Sequence, residues 1–269
     1  MFWVGLAAVV VYVLIAAGLA NLLAALVKPD SAIAEFVLTH YISLPILIAV
    51  GVIFARKAGW FADIWRDEQA IAEAPRRWWM LAVPVLLLVG PVLELFEVPW
   101  GERGFGLIAL LAVGCLMIGF GEEFYYRGIL RVSLRAHHGS FVALIVTAAL
   151  FGISHSVDSL VNGVPLSIIA FQVAATGMTG ALYYVAFCAT GRLWVPIVIH
   201  ALSDFVLYAQ AGLESSGPHA EAPDPGVVAI AAQFVLGAFL IVFVVSALRS
   251  DARERTQRRA SASAASVAD

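Results

Sequence analysis

A small set of ionisable side chains stands in otherwise apolar sequence, at spacings that suit chemistry. Glu122, Glu123 and Arg127 lie in GEEFYYRG, His155 follows Phe151 in FGISH, and His200 and Asp204 bracket HALSD. A carboxylate beside a histidine can draw a proton from water, and a second histidine can stabilise a developing oxyanion. Together these are the parts that amide hydrolysis requires. Glu122, His155, His200 and Asp204 are also an oxygen and nitrogen set of the kind that holds zinc with a bound water, although no HExxH signature is present. A third use for such groups at mid-membrane is proton coupling in a transporter.

Spacing separates their duties. His200 and Asp204 are four residues apart and share one helix face, as do Glu123 and Arg127. Arg127 can therefore neutralise Glu123, while Glu122, about 100° further round the helix, faces a cavity. Ser154 and Ser156 flank His155 without a triad arrangement, so a serine nucleophile is not expected. Side chains of these types can also serve only to lock helices together. Convergence of two carboxylates and two histidines from three helices argues for more than that.

The elements that must position these groups are membrane spans. The chain has 269 residues, 62% of them hydrophobic and 13% charged. Its mean hydropathy is +0.92, against about 25% charged residues in an ordinary soluble domain. It reads as an all-α, polytopic membrane protein with an intramembrane polar cavity. Eight apolar stretches are expected to cross, at 2–27, 36–55, 78–96, 105–121, 140–157, 164–189, 193–209 and 226–248. The first has no basic n-region and is longer than the ~7–15 residues of a signal-peptide core, so it is read as a span. Residues 1–248 then form one transmembrane domain with a core at about 84–209. Residues 56–77 suggest an amphipathic surface helix, and 249–269 a basic, then Ala/Ser-rich, disordered tail.

If the fourth span continues to Arg135, Glu122 lies ~20 Å from that end at ~1.5 Å per residue. By the same rise His155 lies ~22 Å in from Ser140, and His200 and Asp204 ~12 and ~18 Å in from Arg192. The three motifs are thus expected at one depth. Apart from Arg127, the lysines and arginines fall almost entirely on one side of this eight-span arrangement, the other side carrying only Lys28 and Arg103. Such a bias predicts both termini in the cytoplasm. The tryptophans fall at predicted span ends, where aromatic belts form. Glu94 and His40 sit near outer ends and are read as interfacial. Cys115 and Cys188 have no metal-type spacing and are read as buried thiols. No nucleotide-binding glycine loop, nucleic-acid partner, internal repeat or pair of interrupted helices typical of transporters is evident.

In order and spacing, Glu122-Glu123-Phe-Tyr-Tyr-Arg127, Phe151-Gly-Ile-Ser-His155 and His200-Ala-Leu-Ser-Asp204 resemble the motifs of the CAAX-processing and bacteriocin-processing intramembrane proteases, the family that includes the Ras-converting CAAX endopeptidase. The resemblance implies a membrane-embedded endopeptidase in which Glu122 activates water with help from His155, and His200 and residue 204 stabilise the oxyanion. Its substrate would be a membrane-anchored or membrane-proximal polypeptide, and its setting a bacterial plasma membrane. Glu123, Arg127 and Phe151 would support the site. The family has been described both as metalloproteases and as metal-independent glutamate proteases, so the cofactor expected is none or one zinc ion. One departure stands out: the CAAX endopeptidases commonly carry asparagine where this chain has Asp204, and an ionised carboxylate only accepts hydrogen bonds. Asp204 would then orient His200 or ligate a metal. A non-catalytic family member, acting as a scaffold or bacteriocin-immunity factor, is the alternative reading, with a proton-coupled transporter behind it. The chain ends in SVAD rather than a CAAX cysteine, so it is not expected to be a prenylated substrate itself.

Overall fold

The computed structural model describes residues 2–27, 31–66, 78–213 and 226–268. Its elements in chain order are α1 (Phe2–Ala24), α2 (Ala32–Tyr41), α3 (Ser43–Lys57), α4 (Phe61–Trp65), a 3-10 turn at Trp78–Leu81, and α5 (Ala82–Glu94). After a second 3-10 turn at Trp100–Glu102 come α6 (Phe105–Glu123), a π-helix (Phe124–Leu130), α7 (Arg131–Arg135), α8 (Ser140–Ser154), α9 (Ser156–Val161), α10 (Leu166–Thr190), α11 (Trp194–Ala211) and α12 (Gly226–Ala268). The described residues contain no named strand. An isolated bridge joins Arg66 to Arg192.

Among the described residues, seven helices are long and apolar enough to cross a bilayer. The protein is an integral, multi-pass membrane protein. The sequence predicts eight spans, and the third of them, read as 78–96, is a shorter apolar helix at Trp79–Glu94. Two features shorten it. It begins as a 3-10 turn, and it stops at Glu94, ahead of a proline at 99 that cannot continue a helix. An even number of crossings, and with it the cytoplasmic placement of both ends, rests on this helix. The amphipathic segment expected at 56–77 contributes the single turn α4; residues 67–77 lie outside the described residues. From Arg249 the sequence suggests disorder, whereas the backbone of α12 continues as helix to Ala268.

The second span is bent. Its 26 residues, Ala32–Lys57, divide at Ile42 into α2 and α3. Thr39 Oγ1 donates to the Glu35 carbonyl at 2.7 Å, Ser43 Oγ donates to the Thr39 carbonyl, and Pro45 lacks an N–H. Hydroxyl back-bonding and a proline are ordinary causes of helix bending.

Hydrocarbon offers no hydrophobic force to press helices together, so close backbone approach must do that work. The site helices meet where the chain has glycine. A Cβ on Gly119 of α6 would lie 2.8 Å from the Ile197 carbonyl oxygen and 2.9 Å from the Ala201 nitrogen on α11. A Cβ on Gly152 of α8 would run into the Val173 carbonyl and the Gly177 backbone of α10. These two crossings pin α6 to α11 and α8 to α10. All seven residues of the π-helix are buried among them, while Leu14, Phe105, Leu166, Phe234 and Ile241 are exposed around the rim as lipid-facing residues.

Candidate active site

Helices α6, α8 and α11 bring together Glu122, Glu123, His155, His200 and Asp204, and α10 closes the site from behind. Its inner side is dry. The Arg127 and Glu123 side chains are 0% exposed, with Nη1 to Oε1 at 2.8 Å, the pairing expected from their four-residue spacing. Arg127 Nη2 also donates to the Gly180 carbonyl on α10 at 2.5 Å, and the guanidinium lies 4.3 Å over the Phe151 ring. A buried charge needs such partners on several sides. The π-helix begins directly after Glu123; wider turns of this kind occur frequently at functional sites.

Glu123 Oε1 has a second partner that spacing along one helix does not reveal: it lies 3.1 Å from His200 Nδ1. The carboxylate thus joins Arg127 on its own helix to His200 on α11. Because an arginine-paired carboxylate accepts, Nδ1 carries the proton and Nε2 is turned the other way, toward the cavity. Tyr183 of α10 stacks on the His200 ring, with centroids 5.0 Å apart and planes at 27°. Phe151 meets the same ring edge-on at 5.8 Å.

His155 is held by the same logic from the opposite side. Its Nδ1 lies 2.7 Å from the Phe151 carbonyl. A carbonyl only accepts, so Nδ1 is again the protonated nitrogen and Nε2 the free one. Phe151 packs against the imidazole at 4.6 Å, the place expected for it.

Both free Nε2 atoms face Glu122. Glu122 Oε2 is 3.7 Å from His155 Nε2 and 3.9 Å from His200 Nε2, and it is buried with no direct hydrogen-bond partner. Those separations exceed a direct hydrogen bond. Asp204 Oδ2 lies 3.5 Å from His200 Nε2. The sequence offers Asp204 as the residue that orients His200 through a ring N–H. That position on Nδ1 belongs to Glu123, and Asp204 approaches the cavity-side nitrogen. The helical step from 200 to 204 sets Asp204 along α11, whereas Glu123 reaches His200 from α6 across the Gly119 contact.

The remaining candidates lie elsewhere or act otherwise. Ser154 Oγ donates to the Phe151 carbonyl at 2.8 Å and Ser156 Oγ to the Ile153 carbonyl at 2.7 Å, so both hydroxyls serve the backbone. His40 stacks on Phe36, and the Glu94 carbonyl accepts from Gln210 Nε2 at 2.9 Å. Cys115 is a buried thiol, as the sequence suggests, whereas Cys188 is only half-buried. The four side chains that the sequence offers to zinc approach one another in pairs, yet among the described residues no group of three or more His, Cys, Asp or Glu side chains is arranged to hold a metal ion.

Sequence reasoning passed over three residues of α10: Tyr183, which stacks on His200, Gln172, which donates to the His155 carbonyl, and Gly180, whose carbonyl accepts from Arg127. None is ionisable near neutral pH, so a search for charged groups in apolar sequence does not find them.

Residues 104–206 match a family model described as type II CAAX prenyl endopeptidase Rce1-like. No curated protein and no solved structure matched the chain. The matched segment opens at the start of α6, closes within α11, and contains every one of Glu122, Glu123, Arg127, Phe151, His155, His200 and Asp204. Motif order, the helices that carry the motifs and this match agree in likening residues 104–206 to the Rce1-like CAAX-processing proteases.

Proposed function

We propose that the protein is an intramembrane endopeptidase that hydrolyses a peptide bond in a membrane-anchored or membrane-proximal polypeptide, using Glu122 as base. The observation that carries this reading is the buried, unpartnered Oε2 of Glu122 facing two histidine nitrogens whose protonation is set from behind.

A water between Glu122 and His155 would have its lone pair directed at the scissile carbonyl once a substrate enters. Glu122 takes the water proton as the oxygen attacks, and the C–O bond forms. His200, carrying a second proton on Nε2 between Asp204 and Glu122 in addition to the one on Nδ1, is then an imidazolium and donates from Nε2 to the oxyanion that develops on the carbonyl oxygen. A preorganised donor of this kind is worth about 10²–10³ in kcat. Collapse breaks the C–N bond, and the proton held by Glu122 passes to the leaving amine, giving an acid and an amine with no covalent enzyme intermediate. Asp204 replaces the asparagine common in the family. It serves by holding the His200 proton at Nε2, since an ionised carboxylate has none to donate.

The basic residues of the α3, α7 and α12 ends support a cavity reached from the cytoplasmic side, with both termini there, in a bacterial plasma membrane. The test is cleavage of a fluorogenic membrane-peptide library, with and without an isoprenylated cysteine, by purified protein in liposomes. Wild type and Glu122→Ala are compared with and without a strong zinc chelator. Cleavage abolished in the variant and resistant to the chelator is expected. Cleavage lost to the chelator would demand a metal, and a folded wild type that cuts nothing would favour a scaffold.

A further inference from the structure

His155 sits at a break in its span. It caps both helices, following the last residue of α8 and preceding the first of α9, so its carbonyl opens the ladder of α9 and keeps a lone pair for a further donor. The donor comes from α10: Gln172 Nε2 lies 3.1 Å from the His155 carbonyl oxygen. The other end of the same amide, Oε1, accepts from Ser159 Oγ on α9 at 2.7 Å. The orientation of the amide is determined on chemical grounds. The carbonyl can only accept, so the NH₂ faces His155, and the oxygen is left to the serine hydroxyl. Ser159 is itself 2% exposed.

His155 is therefore gripped twice. Its ring is bonded to α8 through the Phe151 carbonyl, and its backbone to α10 through Gln172. Rotation at the break would swing Nε2 away from Glu122, and the second grip opposes that rotation from another helix. We propose that Gln172, itself aligned by Ser159, is a positioning residue that holds His155 Nε2 toward Glu122. The proposal rests on His155 as the partner of Glu122 in hydrolysis. It assigns a part of the site to α10, which carries none of the three motifs.

The variants differ in one hydrogen-bonding function each. Gln172→Met keeps length and removes both interactions. Gln172→Glu keeps the acceptor for Ser159 and removes the donor to His155. Ser159→Ala removes only the alignment of the amide. The expected result is a loss of about 10–100-fold in kcat for Gln172→Met and Gln172→Glu, as for other residues that orient a reacting group, with KM nearly unchanged. Ser159→Ala should lose less.

A readout independent of turnover is the NMR signal of histidine Cε1 in ¹³C-labelled full-length protein, with His155 assigned through His155→Gln. Its chemical shift and pH titration should move in both Gln172 variants while the His200 signal stays in place. A wild-type-like Gln172→Glu would overturn the proposal. So would a lowered melting temperature with an unmoved His155 signal and unchanged kcat, which would make Gln172 only an interhelical tie. A shifted His155 signal in a protein that cleaves no peptide would leave the positioning role standing and remove the protease reading instead.

Discussion

The two sides of the polar cleft differ in what surrounds them more than in what they are made of. On the inner side, Arg127, Glu123 and His200 have side-chain exposures of 0, 0 and 6% and form a continuous chain of contacts at 2.8 and 3.1 Å. On the outer side, Glu122, His155 and Asp204 are 20, 30 and 24% exposed and stand 3.5–3.9 Å from their nearest histidine or carboxylate partners. One glutamate is spent on structure and its immediate neighbour is left for chemistry. The difference arises from ~100° of helical rotation, which turns Glu123 into the α6–α11 contact and Glu122 toward the opening.

The inner side should break the protein. Replacing Arg127 by methionine leaves the buried Glu123 carboxylate with His200 as its one remaining described partner, and breaking a buried pair in this way costs about 3–5 kcal/mol. The variant should lose its thermal unfolding transition in detergent, and activity with it. Glu123→Gln should show the same effect, because Arg127 is then the orphan. Next in size, Glu122→Gln should unfold at the wild-type temperature yet lose activity by about 10²–10⁴-fold, the usual contribution of a positioned base. If the two glutamates gave the same pattern in paired melting and turnover assays, the division between inner and outer sides would fail.

Asp204→Asn sharpens the outer side. It restores the residue common in the family and removes one ionisable group from the cavity. A smaller change in kcat is expected, and the pH–rate profile should lose one ionisation, read from kcat across the pH range in which the protein stays folded. The smallest effect is expected remote from the cleft. Asp251 of α12 accepts from the Ser140 and Phe141 backbone N–H groups at 2.9 and 3.1 Å and so caps the start of α8. Asp251→Ala should cost about 1 kcal/mol of stability, as lost N-caps do, with kcat nearly unaltered.

Much of this arrangement is legible in the sequence, for a physical reason. Ionisable residues are costly in hydrocarbon, so Glu122, His155, His200 and Asp204 stand out against their neighbours, and the Glu123–Arg127 pair follows from helical spacing alone. The spans follow from hydropathy, except where proline and 3-10 turns shorten α5. What depends on contacts between helices is not legible. Nothing along the chain couples Glu123 to His200, 77 positions away, or Gln172 to the His155 carbonyl. The π-helix after Glu123 is equally silent, since Phe124–Leu130 reads as ordinary apolar helix. Even the bend at Ile42 is only hinted at, by Thr39, Ser43 and Pro45 in an otherwise plain span.

The most direct test of Glu122 as the base is the turnover of one cleaved membrane peptide by Glu122→Gln and wild type, reconstituted side by side in liposomes and matched for folded protein by their melting transitions. Retained folding with turnover reduced by about 10²-fold or more is the expected result. A folded Glu122→Gln that cleaves at the wild-type rate would contradict it and move the base to another residue of the cleft.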